Sequence, residues 1–192
     1  MEPLARADLL SLEAYAVARA EFRARVIAHK QARSVALGPD LTLLFEDRLT
    51  VQYQVQEMLR IERIFEAAGI EDELAAYNPL IPDGGNLKAT LLIEFPDSLE
   101  RAQALVRLKG LERSLWLGVD GARIAGIADE DLVREDATKT SAVHFLRFEL
   151  DALQITVLRA GGAVKFGVDH PAYCHQVLAP KAVRESLLAD LA

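Results

Sequence analysis

The stretch LWLGVDGARIAGI, residues 115–127, decides the fold class of this chain. Two short, largely apolar runs flank Asp120 and Gly121, the pair that suits a type I′ turn because both of its central residues adopt positive φ. The stretch therefore predicts a β-hairpin. A hairpin joins neighbouring antiparallel strands, so it indicates that the sheet of this protein is mainly antiparallel.

The regions on either side of the hairpin hold further short strands and helices. LKATLLIEF (87–95) alternates apolar and polar residues, and SAVHFLRFEL (141–150) and AVKFGVDH (163–170) are two more strands. Strands and helices do not alternate regularly enough for a doubly wound parallel sheet. We expect a single α+β domain over residues 1–192, in which a mainly antiparallel sheet of short strands is covered by helices.

Several connections follow from local sequence signals. A long helix is predicted over 8–33, and another helix is predicted from a cap at Thr50 to a stop at Gly69. The prolines and glycines of AYNPLIPDGG (76–85) predict a rigid loop. ADEDLVREDATKT (128–140) is expected to be an acidic surface connection. FGVDHPAYCHQVLAP (166–180) is expected to be a strand ending at His170, a corner at proline and a lead into the last helix.

The composition predicts a globular protein. The chain has 192 residues, 51% hydrophobic and 27% charged, with a net charge of −7, which argues against affinity for nucleic acid or an anionic membrane. A single cysteine cannot form an intramolecular disulfide, so a reducing compartment is expected. No apolar run approaches the ~20 residues that span a bilayer. We therefore expect a cytoplasmic protein, with a homodimer as the default assembly.

The helix after Thr50 carries polar residues on its predicted buried face. At 100° per residue, one broad apolar arc holds Val51, Val55, Met58, Ile61 and Phe65. Glu62 falls inside this arc and Glu57 lies at its edge. An unpaired carboxylate on a buried face is costly, so Glu62 is expected to meet a cation, a group of donors or a metal. A structural ion pair is the plainer interpretation.

Two histidines lie on the predicted core faces of their strands, His144 in SAVHFLRFEL and His170 in AVKFGVDH. Such histidines are more often satisfied core residues than ligands. Together with Glu62 they would supply the two-His-one-carboxylate set that is typical of non-haem iron or catalytic zinc. In that hypothesis Glu57 supports the site or acts as general base, and either Tyr173 or Lys139 orients a substrate.

A different hypothesis is small-anion binding by Arg60, Arg63 and Lys139, with the NPLIPDGG loop as a lid. It predicts a basic pocket in a protein that is acidic overall. The sequence has no GxGxxG, no GxxxxGK[ST], no GxSxG, no HExxH and no CxxC, so none of the standard nucleotide, hydrolase or zinc signatures supports a more specific activity. Cys174 is interpreted as a passive thiol.

Four blocks taken together resemble a bacterial family catalogued as domain of unknown function 3501: YQVQEMLRIER (53–63), AYNPLIPDG (76–84), KTSAVHFLRF (139–148) and DHPAY (169–173). With the opening RADLLSLEAY (6–15), the resemblance spans nearly the whole chain. The genes of the family that the chain resembles often neighbour those of a rubrerythrin-like protein and an iron–sulfur oxidoreductase. The resemblance therefore implies an accessory role, with such a redox protein as partner, in iron-dependent redox or oxidative-stress chemistry.

The preferred hypothesis from the sequence is a non-catalytic accessory or binding protein. It predicts an exposed apolar or charged patch. The metal-enzyme hypothesis predicts instead that Glu62, His144 and His170 converge on one cavity. The anion-binding hypothesis predicts that its three cations line one pocket.

Overall fold

The structure is a computed structural model that describes residues 1–128 and 139–192. The predicted acidic connection over 128–140 lies almost entirely outside the described residues. The fold class is confirmed as α+β. The described helices are α1 Leu12–Gln31, α2 Arg48–Glu62, α3 Ala67–Tyr77, α4 Ser98–Arg107, α5 Ala152–Arg159 and α6 Lys181–Leu188. The described strands are β1 Ser34–Ala36, β2 Leu41–Phe45, β3 Asn86–Ile93, β4 Leu115–Val119, β5 Ala122–Ala125, β6 Ile127–Ala128, β7 Val143–Glu149, β8 Val164–His170 and β9 Tyr173–Leu178.

The strands form two sheets in which the paired strands are antiparallel. One sheet has the order β1-β2-β3-β7-β6, and the other has the order β5-β4-β8-β9. The sheets pack against each other through one apolar core, to which α4, α5 and α6 also contribute. Phe166 of the smaller sheet lies at its centre, with its ring centroid 5.0 Å from that of Phe45 and 6.5 Å from that of Phe148 in the larger sheet.

The predicted hairpin is confirmed as β4 and β5. Asp120 has φ 46° and Gly121 has φ 93°, the two positive values that a type I′ turn requires. Directly after β5, the chain passes at Gly126 from the smaller sheet to β6 of the larger one. An added Cβ at Gly126 would lie 3.1 Å from Cε1 of Phe148, so the absence of a side chain lets the strand turn this corner close to the core.

Helices α1 to α3 belong to a layer on the other side of the larger sheet. Val51, Val55 and Leu59 of α2 form a second apolar cluster with α3 and with the outward-facing Phe145 of β7. Phe145 alternates with the inward-facing Leu146, which places this cluster on the face opposite the sandwich core. Among the described residues, no helix has the length and apolar character needed to cross a membrane.

The predicted stop of the second helix at Gly69 is wrong. Helix α2 begins after an Asp47 cap, whose carboxylate accepts a hydrogen bond from the Thr50 N–H at 2.9 Å, and it ends at Glu62. Arg63 adopts the left-handed conformation with φ 57°, and the next N–H closes the helix on the carbonyl of Leu59 at 2.9 Å. Gly69 lies inside the following helix, α3, which also occupies the first two residues of the predicted loop.

The expectation for residues 166–180 is wrong in its second half. The chain does not lead directly into the last helix after His170. It turns at Pro171 and Ala172 and returns as β9, which pairs with β8 from His170 opposite Tyr173 to Lys165 opposite Leu178. Helix α6 follows, with Pro180 at its cap position. The interruption at proline was therefore a hairpin turn, whose return strand is stabilised by pairing rather than by local propensity.

Candidate functional site

The three predicted metal ligands lie on separate elements. Glu62 is exposed at the end of α2, His144 is buried on β7, and His170 ends β8 in the other sheet. The His170 ring bonds locally, with Nε2 3.2 Å from the carbonyl of Lys109 and Nδ1 3.2 Å from the N–H of Ala172. Over residues 1–128 and 139–192, no three His, Cys, Asp or Glu side chains form a group that could hold a metal ion. The structure therefore does not bring the predicted iron or zinc ligands together.

His144 belongs to a buried chain of polar groups. Its Nε2 lies 2.8 Å from Oγ1 of Thr140 and 3.0 Å from the carbonyl of Ser141. The Thr140 hydroxyl in turn donates to the carboxylate of Glu112 at 3.3 Å. This geometry is that of a core histidine with its hydrogen bonds satisfied. The burial of Glu112 was not predicted from the sequence, because this residue lies in a short 3₁₀ turn that has no apolar periodicity to mark its buried side.

Glu57 is held by three donors between α1 and α2. Its carboxylate accepts hydrogen bonds from Arg19 at 2.7 and 2.9 Å, from the hydroxyl of Tyr15 at 2.7 Å and from Arg60 at 3.1 Å. The hydrogen bond from Arg19 is the main reason that the pKa of Glu57 falls to about 2, with Tyr15 and Arg60 lowering it further against the opposing effect of burial. A general base needs a pKa near the working pH, so this carboxylate is suited to joining the two helices rather than to accepting protons.

The three predicted anion-binding cations have separate surroundings. Arg60 bonds to Glu57, and Arg63 ends α2. Lys139 precedes Thr140, whose N–H bonds to the carbonyl of Leu105 near the end of α4. The loop that was predicted as a lid is attached to the N-terminal residues. Within it, the Asn78 amide exchanges two hydrogen bonds with the main chain of Leu4, at 2.8 and 2.9 Å.

Tyr173 uses its hydroxyl to connect the two sheets. The hydroxyl donates to the carbonyl of Leu37 at 2.8 Å and accepts from the N–H of Asp40 at 3.1 Å. These groups flank Gly38, where an added Cβ would lie 2.6 Å from the Tyr173 hydroxyl oxygen. Both hydrogen-bonding functions of the hydroxyl are thus used by the main chain. This arrangement favours a structural role over the predicted substrate-orienting role.

A buried polar cluster around Arg33 was not predicted from the sequence. Arg33, 1% exposed, forms an ion pair with Asp190, lies 3.4 Å from Asp47, and donates to the carbonyls of Phe45 and Glu46 at 3.0 Å each. Burial raises the pKa of Asp190 to about 6, although Arg33 acts in the opposite direction. These groups connect the end of α1, the end of β2, the start of α2 and the C-terminal segment.

Glu46 extends this cluster toward the larger sheet. It is 1% exposed, and its carboxylate accepts hydrogen bonds from the hydroxyls of Thr50 and Thr90 at 2.6 Å each and from the Gln54 amide at 3.2 Å. The Gln54 side chain of α2 is thus directed toward this buried carboxylate. The cluster is internally bonded, and we assign it a structural role.

The C-terminal end of α2 presents an apolar groove at the surface. The cavity has a volume of about 380 Å³ and lies between the N-terminal segment and the α2–α3 connection; its apolar lining comes from Leu9, Leu10, Leu12, Leu59, Ile64, Phe65 and Ile70. We call it the α2–α3 groove. Phe65 is 70% exposed and Ile61, on the last turn of α2, is 61% exposed. The prediction that both side chains belong to the buried face is wrong. Helix α2 ends before Phe65, and Ile61 lies on an exposed side of its last turn.

The charged residues that line this groove are Arg6 and Glu13, and the segment that contributes Ile64, Phe65 and Ile70 to it is acidic. Segment 62–73 contains Glu62, Glu66, Glu71, Asp72 and Glu73, against a single cation, Arg63. Their repulsion is visible at Glu73, whose pKa is raised first by burial and then by the negative charges of Glu62 and Asp72. The groove therefore combines an exposed aromatic side chain and an apolar floor, and it is lined in part by an acidic segment of the chain.

Comparisons with known proteins agree with the resemblance noted in the sequence. No curated protein matches the chain. It is similar to a crystal structure described as a novel protein of unknown function from Burkholderia pseudomallei K96243, with 51% identity over 100% of both chains and a TM-score of 0.95. A family model described as Protein of unknown function (DUF3501) matches residues 3–191. The chain therefore belongs to the family of proteins of unknown function DUF3501.

Proposed function

We propose that the protein is a non-catalytic accessory protein that binds a partner protein at the α2–α3 groove, within the iron-dependent redox system that the family resemblance implies. The exposure of Phe65 beside an apolar cavity carries this proposal. Single exposed apolar residues are common on protein surfaces, but aromatic side chains, Phe among them, are enriched at protein–protein interfaces.

The charge around the groove supports one kind of partner. Five carboxylates against one cation in segment 62–73 favour a partner segment that carries Lys or Arg beside its apolar residues. An amphipathic helix with one basic side fits these requirements, since its apolar face fills the groove while its cations meet the carboxylates of segment 62–73. The partner that we propose is a redox protein, either rubrerythrin-like or an iron–sulfur oxidoreductase, presenting such a segment.

The side chains considered for catalysis favour the binding role. Glu57 is ionised and bonded to three residues, Tyr173 is bonded to the main chain, and His144 is enclosed in the core. Each of these contacts joins secondary-structure elements of the protein. Stabilisation of the fold therefore accounts for these three residues, whereas it does not account for the exposed side chain of Phe65.

The proposal is tested by titrating the purified protein with a purified rubrerythrin-like protein and, separately, with the iron–sulfur oxidoreductase, using isothermal titration calorimetry. We expect one of them to bind with a dissociation constant in the micromolar range, which corresponds to a binding free energy of about −8 kcal/mol. Phe65→Ser is expected to weaken binding at least tenfold, which corresponds to about 1.4 kcal/mol.

Leu99→Ser provides the matched control, because Leu99 is 74% exposed on α4, away from the residues that line the groove. It should leave the dissociation constant unchanged. Failure of the wild-type protein to bind either redox protein would overturn the accessory role. Binding that Phe65→Ser leaves intact would overturn the assignment of the groove.

A further inference from the structure

Strand β9 is the longest sheet edge in the described part of the chain. The outer strands of the larger sheet are β1, with three residues, and β6, with two; those of the smaller sheet are β5, with four, and β9, with six. Proteins commonly keep edge strands short or place charges on them, because an open edge offers unpaired main-chain groups to other strands. The β9 sequence, YCHQVL, contains no Lys, Arg, Asp, Glu or Pro.

The direction of the main-chain groups on β9 follows from one hydrogen bond. The N–H of Ala179 donates to the carbonyl of Val164 at 2.8 Å. Directly opposed residues of an antiparallel pair alternate between hydrogen-bonded and non-hydrogen-bonded pairs, so Tyr173, His175 and Val177 bond to β8. Their neighbours in sequence direct both N–H and C=O away from β8: Cys174, Gln176 and Leu178.

These outward-directed residues form a surface that a second strand can cover. Cys174, Gln176 and Leu178 are all exposed, and Leu178 is 59% exposed. An antiparallel strand is self-complementary about a two-fold axis. An axis through Gln176 is the one register that pairs all three residues, since it sets Gln176 against its own copy and Cys174 against Leu178 of the second copy. None of the side chains that face each other in this register is charged, although the chain has a net charge of −7.

We propose that two copies of the chain associate through antiparallel pairing of their β9 strands, centred on Gln176, so that the two four-stranded sheets become one continuous eight-stranded sheet. The pairing supplies partners for the main-chain N–H and C=O groups of three residues on each copy. It also covers the exposed Leu178 side chain with Cys174 of the second copy. This interface is separate from the α2–α3 groove and does not depend on the function proposed for it.

A cysteine pair tests the register directly. Hydrogen-bonded partners in an antiparallel pair have Cα atoms about 5.5 Å apart, which is within the range of a disulfide. Leu178→Cys should therefore form a dimer that is covalently linked to Cys174 of the second copy after mild oxidation. The wild-type protein should not crosslink, because its two Cys174 residues would be about 14 Å apart along the paired strands. Leu99→Cys, at an exposed site on α4, is the control and should not crosslink either.

The association itself is tested by light scattering after size-exclusion chromatography. The wild-type protein should have twice the mass of the monomer. Gln176→Lys places two ammonium groups beside each other at the axis and should raise the dissociation constant at least tenfold. Gln103→Lys makes the same substitution at an exposed position on α4 and should leave the dimer unchanged.

Two outcomes would overturn the proposal. One is a wild-type protein that is monomeric at about 100 μM, a concentration that populates any dimer of micromolar affinity. The other is a dimer that persists in Gln176→Lys and is not crosslinked in Leu178→Cys, since it would have to use another surface. Circular dichroism of each variant separates loss of association from loss of folding.

Discussion

The two ends of helix α2 differ in a way that its sequence does not suggest. Around its start, charged residues are almost completely buried, with Arg33 and Glu46 each 1% exposed. At its end, the apolar Ile61 and Phe65 are 61% and 70% exposed. The buried charges are satisfied by hydrogen bonds from the surrounding elements, whereas the apolar side chains have no element packed over them. The comparison shows that neighbouring elements, rather than helical periodicity, decide which residues of this segment are covered.

The strongest test of this comparison removes a buried charge. Arg33→Met is expected to lower the free energy of unfolding by about 3–5 kcal/mol, because Asp190 and Asp47 lose the cation that compensates their burial. Urea denaturation at pH 7 measures the loss. Arg23→Met, at an exposed position of helix α1, is the control and should cost less than about 0.5 kcal/mol. If the first substitution lowered the free energy of unfolding as little as the control does, the buried cation would not be stabilising the fold.

An intermediate loss of stability is expected at Glu57, which lies between the two ends of α2. Glu57→Gln should cost about 2 kcal/mol at pH 7, since it weakens charge-assisted hydrogen bonds that join α1 to α2. The pKa of Glu57 is lowered from 4.5 to about 2, so its contribution is present above pH 4.5 and is lost as the pH falls toward 2.

Denaturation of the wild type and Glu57→Gln at several pH values between 7 and 2 checks the pH dependence. The stability difference should narrow steadily below pH 4.5. Glu62→Gln is the matched control, because Glu62 is exposed on the same helix, and it should leave the stability nearly unchanged over this range. A difference at Glu57 that stays constant with pH would mean that its ionisation is not coupled to folding.

The smallest effect is expected at the exposed end. Phe65→Ala should change the free energy of unfolding by less than about 0.5 kcal/mol, because most of its side chain is already in water. Leu59→Ala, at a residue of α2 that is 2% exposed and also borders the groove, should cost about 2–5 kcal/mol. Thermal and urea denaturation of both variants measure these two changes in the free energy of unfolding. A large loss of stability at Phe65 would indicate that it is a core residue rather than a binding residue.

The sequence by itself determined the features that depend on neighbouring residues. Asp120 and Gly121 specified a type I′ hairpin through their tolerance of positive φ. Alternation of apolar residues identified β3 and β7, and it placed His144 on the core side. These signals are short in range, so they can be read from a single chain and they sufficed for the α+β class.

Tertiary structure alone decided the features that depend on distant residues. Strand β9 forms because β8 lies beside it, and the sequence from 171 to 180 shows no local preference that reveals this pairing. The partner of Arg33 lies 157 positions away, at Asp190, so no spacing rule could indicate it. The exposure of Phe65 depends on a left-handed residue, Arg63, ending α2 two positions earlier. Pairing, burial and helix ends of this kind are set by packing, which local periodicity does not encode.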